Sequence, residues 1–216
     1  VLDSEHHVPG AHLVVSHSDW ELIRTCPMPV LLVRTARKYS KPKLVAALDP
    51  QHAHDKPASL DKTLLATAAS LASALDGELH AAHAYKPYPY FAPGYPGDYV
   101  SLTQVAPEIE REHRDSLASA LAKLSATAGI PKARQHLALG DPTEALPTLA
   151  KKLGASIVVM GAVSRSGLRR LFIGHTAQKV LERMPCDVLV VKPKSFKSPI
   201  SKTSRPFGPI TGFTVY

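Results

Sequence analysis

Val158-Val159-Met160-Gly161-Ala162-Val163-Ser164-Arg165-Ser166-Gly167-Leu168-Arg169-Arg170-Leu171-Phe172-Ile173-Gly174-His175-Thr176-Ala177-Gln178-Lys179-Val180-Leu181 runs from a strand through a loop into a helix. Ser156 to Met160 carries apolar residues at successive positions, as a strand buried on both faces must. The run ends at Gly161, and residues 161–175 read as a loop bearing Gly, Ser and Arg. Thr176 to Arg183 reads as a helix, stopped by Met184-Pro185, and Asp187 to Lys192 as a last strand. A strand, a helix and a strand in such close succession form a parallel crossover.

The same alternation continues upstream. Lys43 to Asp49 is a short apolar strand ending at an acid before Pro50. Ser59 caps a helix whose one face holds Leu60, Leu64, Ala68, Leu71 and Leu75, and Asp76-Gly77 ends it. Leu79 to Tyr85 is a strand, and residues 86–106, rich in Pro, Tyr and Gly, are a long loop. Pro107 opens a helix with Leu117, Leu121, Leu124 and Ala128 on its apolar face, closed by Gly129; a strand follows over 133–139. Asp141-Pro142-Thr143-Glu144 starts a helix that Pro147 bends and Gly154 ends. The order β-α-β-α-β-α-β-α-β predicts an α/β fold, a five-stranded doubly wound parallel sheet, over residues 41–192.

The whole chain has 216 residues, 44% of them hydrophobic and 20% charged. That balance excludes pervasive disorder and collagen-like or disulfide-stapled scaffolds, and predicts one domain with appendages. No apolar run reaches the ~20 residues of a membrane span. The first residues lack the basic and apolar regions of a signal peptide. Cys26 and Cys186 suggest no disulfide framework, so a reducing, cytoplasmic setting is expected. The net charge of +8 is concentrated at the end, since Lys192, Lys194, Lys197, Lys202 and Arg205 face no acid up to Tyr216. The body keeps only +3, too little for a nucleic-acid footprint. Residues 193–216, with recurring Pro, Ser, Thr and Gly, read as a disordered basic tail.

One internal repeat is visible. Residues 21–34 lie over 179–192 at an offset of 158, with Pro27/Pro185, Val30/Val188, Leu31/Leu189 and Val33/Val191 identical. Two unrelated helix–turn–strand pieces explain this less well than duplication, so residues 1–40 are expected to be the last helix and strand of a first repeat. Strand 30–33 is then expected antiparallel beside 188–191, with Leu22 and Ile23 covering one face. Apolar surface left bare by the rest of that repeat, together with the last strand, predicts a homo-oligomer.

The loop 161–175 also carries the chemistry. Ligands of open parallel sheets bind beyond the carboxyl ends of the strands, where the strand order reverses. A helix start offers free amides and partial positive charge to phosphate, and glycine lets the backbone approach closely. The stretch resembles the universal stress protein family, whose nucleotide-binding members carry Gly-x2-Gly-x9-Gly-[Ser/Thr] after the fourth strand. The resemblance covers roughly residues 41–192, and Asp19-Trp20-Glu21 through Pro29-Val30, with Ala47-Leu48-Asp49-Pro50, is most similar to the tandem-domain E group of that family. It implies the universal stress protein fold, of the adenine nucleotide alpha hydrolase-like type, and a non-catalytic, cytoplasmic stress-response protein that is not an enzyme. ATP or AMP is the implied ligand, at the switch point of the sheet.

Mapped residue by residue, Gly161 and Gly174 match the first and third glycines, and Asp49 matches the acid after the first strand that meets the adenosine end. Ala84 falls near the position lining the base. Ser164 stands at the second glycine and His175 at the hydroxyl position, with Thr176 one later. A Cβ at 164 restricts the backbone, and one residue along a helix is a swing of ~100°. These departures support an alternative, a degenerate stress protein without ATP that acts as an interaction or oligomerisation module or binds an apolar metabolite. Arg165, Arg169 and Arg170 either clamp phosphates or acidic groups or belong to a solvated loop, and Gly167 lies between them as a further candidate ligand-binding residue. Asp49 either meets a ligand or caps a loop, and the two glycines either admit a ligand or serve only their turns.

No metal site is expected. His80 and His83 are three apart on a strand and point to opposite faces, and His52, His54 and Asp55 make a thin constellation in a loop. The aromatic loop with Tyr85, Tyr88, Tyr90, Phe91, Tyr95 and Tyr99 either covers a ligand or partner or packs on its own sheet.

Overall fold

A computed structural model describes residues 2–3, 17–34, 38–51, 59–87, 107–161 and 175–200. These form one mixed sheet with helices on both faces. The strands are β1 (Leu2–Asp3), β2 (Val30–Val33), β3 (Lys43–Ala47), β4 (Glu78–Tyr85), β5 (Gln135–Leu139), β6 (Ile157–Gly161) and β7 (Asp187–Val191). The helices are α1 (His17–Thr25), α2 (Ser59–Ala74), α3 (Pro107–Ala126), α4 (Pro142–Leu153) and α5 (His175–Arg183). The sheet order is β1-β2-β7-β6-β3-β4-β5. Strands β7, β6, β3, β4 and β5 are mutually parallel, which is the expected five-stranded doubly wound sheet. Two further strands extend it. β2 runs antiparallel to β7, and β1 joins β2 in parallel. With two residues, β1 is too short to show any periodicity in the sequence.

Local chemistry fixes the element ends. Asp141 caps α4 by accepting from the Thr143 amide at 3.0 Å, Pro142 takes the first turn, and Gly154 closes the helix in a left-handed conformation. The Lys86 ammonium, 2.7 Å away, and the Thr143 hydroxyl and amide hold the Asp141 carboxyl far below the usual range. Pro147 sits inside α4 without ending it. At the end of α2 the left-handed residue is Asp76, at φ 50°, and not the glycine that follows. Gly77 is required for another reason: a Cβ there would lie 2.5 Å from the Pro42 carbonyl oxygen, which accepts from the Glu78 amide.

One face buries Val45, Ala82, Val158, Met160, Val188 and Val190 under α1, α4 and α5; the other buries Ala46, Ala81, Val159 and Leu189 under α2 and α3. Every described element before residue 35 recurs 158 residues later. α1 and α5 share their bounds at that offset, and Leu2↔Leu32 and Asp3↔Val33 correspond to Met160↔Val190 and Gly161↔Val191. Leu31 pairs with its own counterpart, Leu189, so a local two-fold axis passes between β2 and β7. Ile23 is fully buried against β2 as expected, but Leu22 is exposed, because consecutive helical residues point ~100° apart. The outer edge of β7 is filled by β2 of the same chain, as the offset of 158 predicts, so the last strand keeps no open edge for the expected pairing with a second copy.

The segment leading from β2 to β3 is stitched to β7. The fully buried Asp187 carboxylate accepts the Arg34 amide at 2.7 Å and the Tyr39 hydroxyl. Burial and this carboxylate raise the Tyr39 pKa, and burial likewise pushes the neighbouring Cys186 thiol up to about 12. Tyr39 packs on the same cluster as Leu31. Residues 193–200 of the expected tail have no helix or strand, but they are anchored: Phe196 lies 4.2 Å from the Lys192 ammonium, which donates to the Cys26 carbonyl. Residues 201–216 lie outside the described part, as do His52, His54, Asp55 and residues 88–106 of the aromatic loop, whereas Tyr85 is buried at the end of β4 with its ring edge-on to His113.

His80 and His83 do face opposite sides. His80 Nδ1 is 3.0 Å from His136 Nε2 on β5, and the rings stack. Glu78 is 3.5 Å from His80 Nε2, an electrostatic contact too long for a good hydrogen bond. Burial lowers the pKa of both imidazoles; Glu78 opposes this at His80, whereas Arg134 and Lys43 add to it, and His80 and Lys152 add to it at His136. An unfolded histidine titrates near 6.5 and protonates first as pH falls, so stability is full above that value and declines below it. The thermal midpoint is expected to drop between pH 7.5 and 5.5, and less steeply in His136→Phe. Parallel midpoint curves for the two proteins would remove the pair as the cause.

Candidate functional site

In the sheet the order reverses between β3 and β6, since β3 leads on to β4 on one side and β6 to β7 on the other. The crevice beyond the carboxyl ends of these strands is where an α/β sheet takes its ligand. Asp49 follows β3, Gly161 ends β6, and Ala84 lies on β4 two residues beyond the Ala47↔Ala82 pairing, level with Asp49. Three of the predicted site residues are therefore brought together at one end of adjacent strands. α5 begins at His175 after the connection from β6, so its free amides belong to this same end. Thr176 is exposed in the first turn. Ser164, Arg165, Gly167 and Gly174 lie outside the described residues, as does the side chain of His175.

Asp49 is the unusual group. It is 4% exposed, and neither carboxylate oxygen has a hydrogen-bond partner among the described residues. A buried ionisable group normally has partners, because its desolvation is otherwise unrelieved. The backbone around it is occupied. The Leu48 amide donates to the Ala82 carbonyl at 2.8 Å, and the Asp49 amide meets both oxygens of the buried Asp61 at 3.3 and 3.4 Å. His83 Nδ1 lies 2.9 Å from the Leu48 carbonyl, so that nitrogen carries the proton. Gly161 has a packing reason of its own: a Cβ would lie 2.7 Å from Leu60 Cδ2, in the first turn of α2.

Asp61, His83 and Leu60 are the site-forming residues the sequence did not disclose. Asp61 reads as an ordinary acid at a helix start and His83 as a strand histidine; only the chain crossings put both against residues 48 and 49. A shallow groove of about 420 Å³, lined by Lys62, Thr63, Ala66, Thr67, Ser70 and Lys194, lies along α2. Among the described residues no three side chains are placed to hold a metal, and no helix is long and apolar enough to cross a membrane.

Comparison with known proteins agrees with this architecture. A profile of the universal stress protein family matches residues 53–192. Universal stress protein E of Escherichia coli K12 is 29% identical over 190 residues, covering 87% of this chain and 58% of that protein. The Haemophilus influenzae homologue of universal stress protein E is 28% identical, over 84% of this chain and 57% of its own. Among solved structures, a functionally unknown protein of Pseudomonas aeruginosa PAO1 superposes with a TM-score of 0.70 at 26% identity, covering 89% of this chain and 62% of that one. A putative universal stress protein of Pseudomonas aeruginosa UCBPP-PA14 gives 0.69 at 27% identity, with the same coverage. The chain thus spans less than two thirds of the length of these relatives. It belongs to the universal stress protein family.

The contact between Gly161 and Leu60 separates two roles of that glycine. Gly161→Ala is expected to cost about 1–3 kcal/mol by overpacking, read from urea unfolding without ligand. An unchanged urea midpoint would instead leave ligand approach as the reason for glycine.

Proposed function

We propose that this universal stress protein is a non-catalytic, cytoplasmic stress-response protein that holds an adenine-nucleotide type of ligand, ATP or AMP, in the crevice between β3 and β6. The base and ribose end lies over Asp49 and Ala84, and phosphate meets the amides of residues 174–176. The observation that carries the reading is the Asp49 carboxylate, buried and without a hydrogen-bond partner among the described residues. A ligand N–H or O–H donated to it would relieve its desolvation, and bonds to a charged acceptor are stronger than neutral ones. The helix start at His175 supplies the complementary electropositive end. Arg165 and the glycines of the loop 161–174 are, from the sequence, further candidate ligand contacts.

Ser164 and His175 favour a second reading, a degenerate member without ATP that works as an interaction module. On either reading, residues 1–40 are the end of a first repeat, 41–192 the complete domain and 193–216 a basic appendage. Self-association, where it occurs, uses a surface other than β7, whose two edges are both filled within the chain.

Denaturing the purified protein and measuring absorbance and mass of the supernatant tests the first reading, followed by calorimetry with ATP and AMP. Bound nucleotide, or a measurable Kd that Asp49→Ala weakens by about tenfold to a hundredfold, is the expected result. A wild-type protein that neither carries nor binds either nucleotide overturns it in favour of the second.

A further inference from the structure

We infer that Asp61 and His83 are positioning residues that present the Asp49 carboxylate to the ligand, an inference that rests on reading the crevice as the ligand site. The argument starts from what an aspartate does when left alone. At the end of a strand its side chain ordinarily folds back onto nearby backbone groups, which satisfies it locally and takes it out of service. Here the amides of residues 48 and 49 are already taken, and the carbonyl of residue 48 is held in place. The Leu48 amide is bonded to Ala82 of β4, and the Leu48 carbonyl accepts from His83 of the same strand. The Asp49 amide is held between both oxygens of Asp61, from the first turn of α2. Two elements thus grip the backbone of residues 48 and 49, and the Asp49 carboxylate has no hydrogen-bond partner among the described residues.

The gripping groups are themselves fixed. Asp61 is 1% exposed and His83 7%, so neither has room to swing away. Asp61 sits at the third residue of α2, where the helix dipole favours a negative charge, so its carboxylate is stabilised there independently of Asp49. The preceding residue, Leu60, packs against Gly161. A single helical turn therefore sets both walls of the crevice: Asp61 locates the acid after β3, and Leu60 locates the glycine that ends β6. A site whose polar group is pre-oriented loses less on binding than one that must reorganise.

The experiment compares full-length Asp61→Ala and Asp61→Asn with wild type, each alone and combined with Asp49→Ala. It reads amide hydrogen exchange at residue 49, the Kd for ATP and the thermal midpoint. Asp61→Ala is expected to lose protection at the residue 49 amide and to weaken ATP by about tenfold. Asp61→Asn, which keeps an acceptor oxygen, is expected to retain both. In the Asp49→Ala background the effect of Asp61→Ala on Kd is expected to vanish, because a residue acting through Asp49 has nothing left to position. An equal loss in that background, or unchanged exchange and Kd in Asp61→Ala, overturns the proposal. If Asp61→Ala does not fold, His83→Phe removes the bond to Leu48 while keeping a ring, and the same cycle with Asp49→Ala decides. Should wild type bind no ATP, the nucleotide reading falls, and exchange at residue 49 in Asp61→Ala still decides whether the grip exists.

Discussion

The structure depends on the antiparallel pairing of β2 with β7. All five residues of β7 are buried, and backbone amides and carbonyls cannot be left unbonded in such a place. β6 satisfies one edge; β2 satisfies the other, from a segment that precedes the domain in sequence. The pairing fixes where Arg34 emerges, and Asp187 then holds the Arg34 amide and the Tyr39 hydroxyl, so the chain is led back to β3 in a defined direction. Lys192 does the reciprocal service at the end of β7 by donating to the Cys26 carbonyl after α1. Burial brings its pKa down to about 8, and the aromatic face of Phe196 offsets part of that cost. Two polar stitches, one on each side of the local two-fold axis, thus make a single unit of the two halves.

The features legible in the sequence are those set by local chemistry or by a long apolar pattern. The alternation of helices and buried strands gave the parallel sheet, Asp141-Pro142 and Gly154 gave the bounds of α4, and the offset of 158 gave the partner of β2. What stayed hidden depends on contacts between distant segments. Leu22 and Ile23 look equally apolar, and only the angle of α1 decides that Ile23 is buried. Gly77 looks like a helix-ending glycine, while its actual constraint is the carbonyl of Pro42, far upstream.

The candidate site shows the same division. Asp49, Ala84 and Gly161 were legible because strand ends and turn glycines leave a sequence mark, and the sheet order then placed them together. Asp61 and His83 leave no such mark, since an acid in a first helical turn and a histidine on a strand are both satisfied in many other ways. Their part emerges from three hydrogen-bonded backbone groups at residues 48 and 49. The carboxylate, without a partner among the described residues, is informative because the amides of residues 48 and 49 beside it are both bonded.

The two halves also separate what the fold needs from what a ligand needs. The offset that relates β1 to β6 sets Asp3 opposite Gly161, so the first half carries a side chain where the second carries none. Gly161 is confined by Leu60 of α2, and for β1 the described residues supply no counterpart of α2. The glycine at the end of β6 therefore follows from the helix that packs on it, whether or not phosphate ever approaches. It cannot serve as the main argument for a ligand. Asp49 is the reverse case. Capping and packing would each have given its carboxylate a partner, and the described structure gives it none. The physical weight of the functional reading accordingly rests on one buried acid at the end of β3, and on the two residues that hold the backbone beside it.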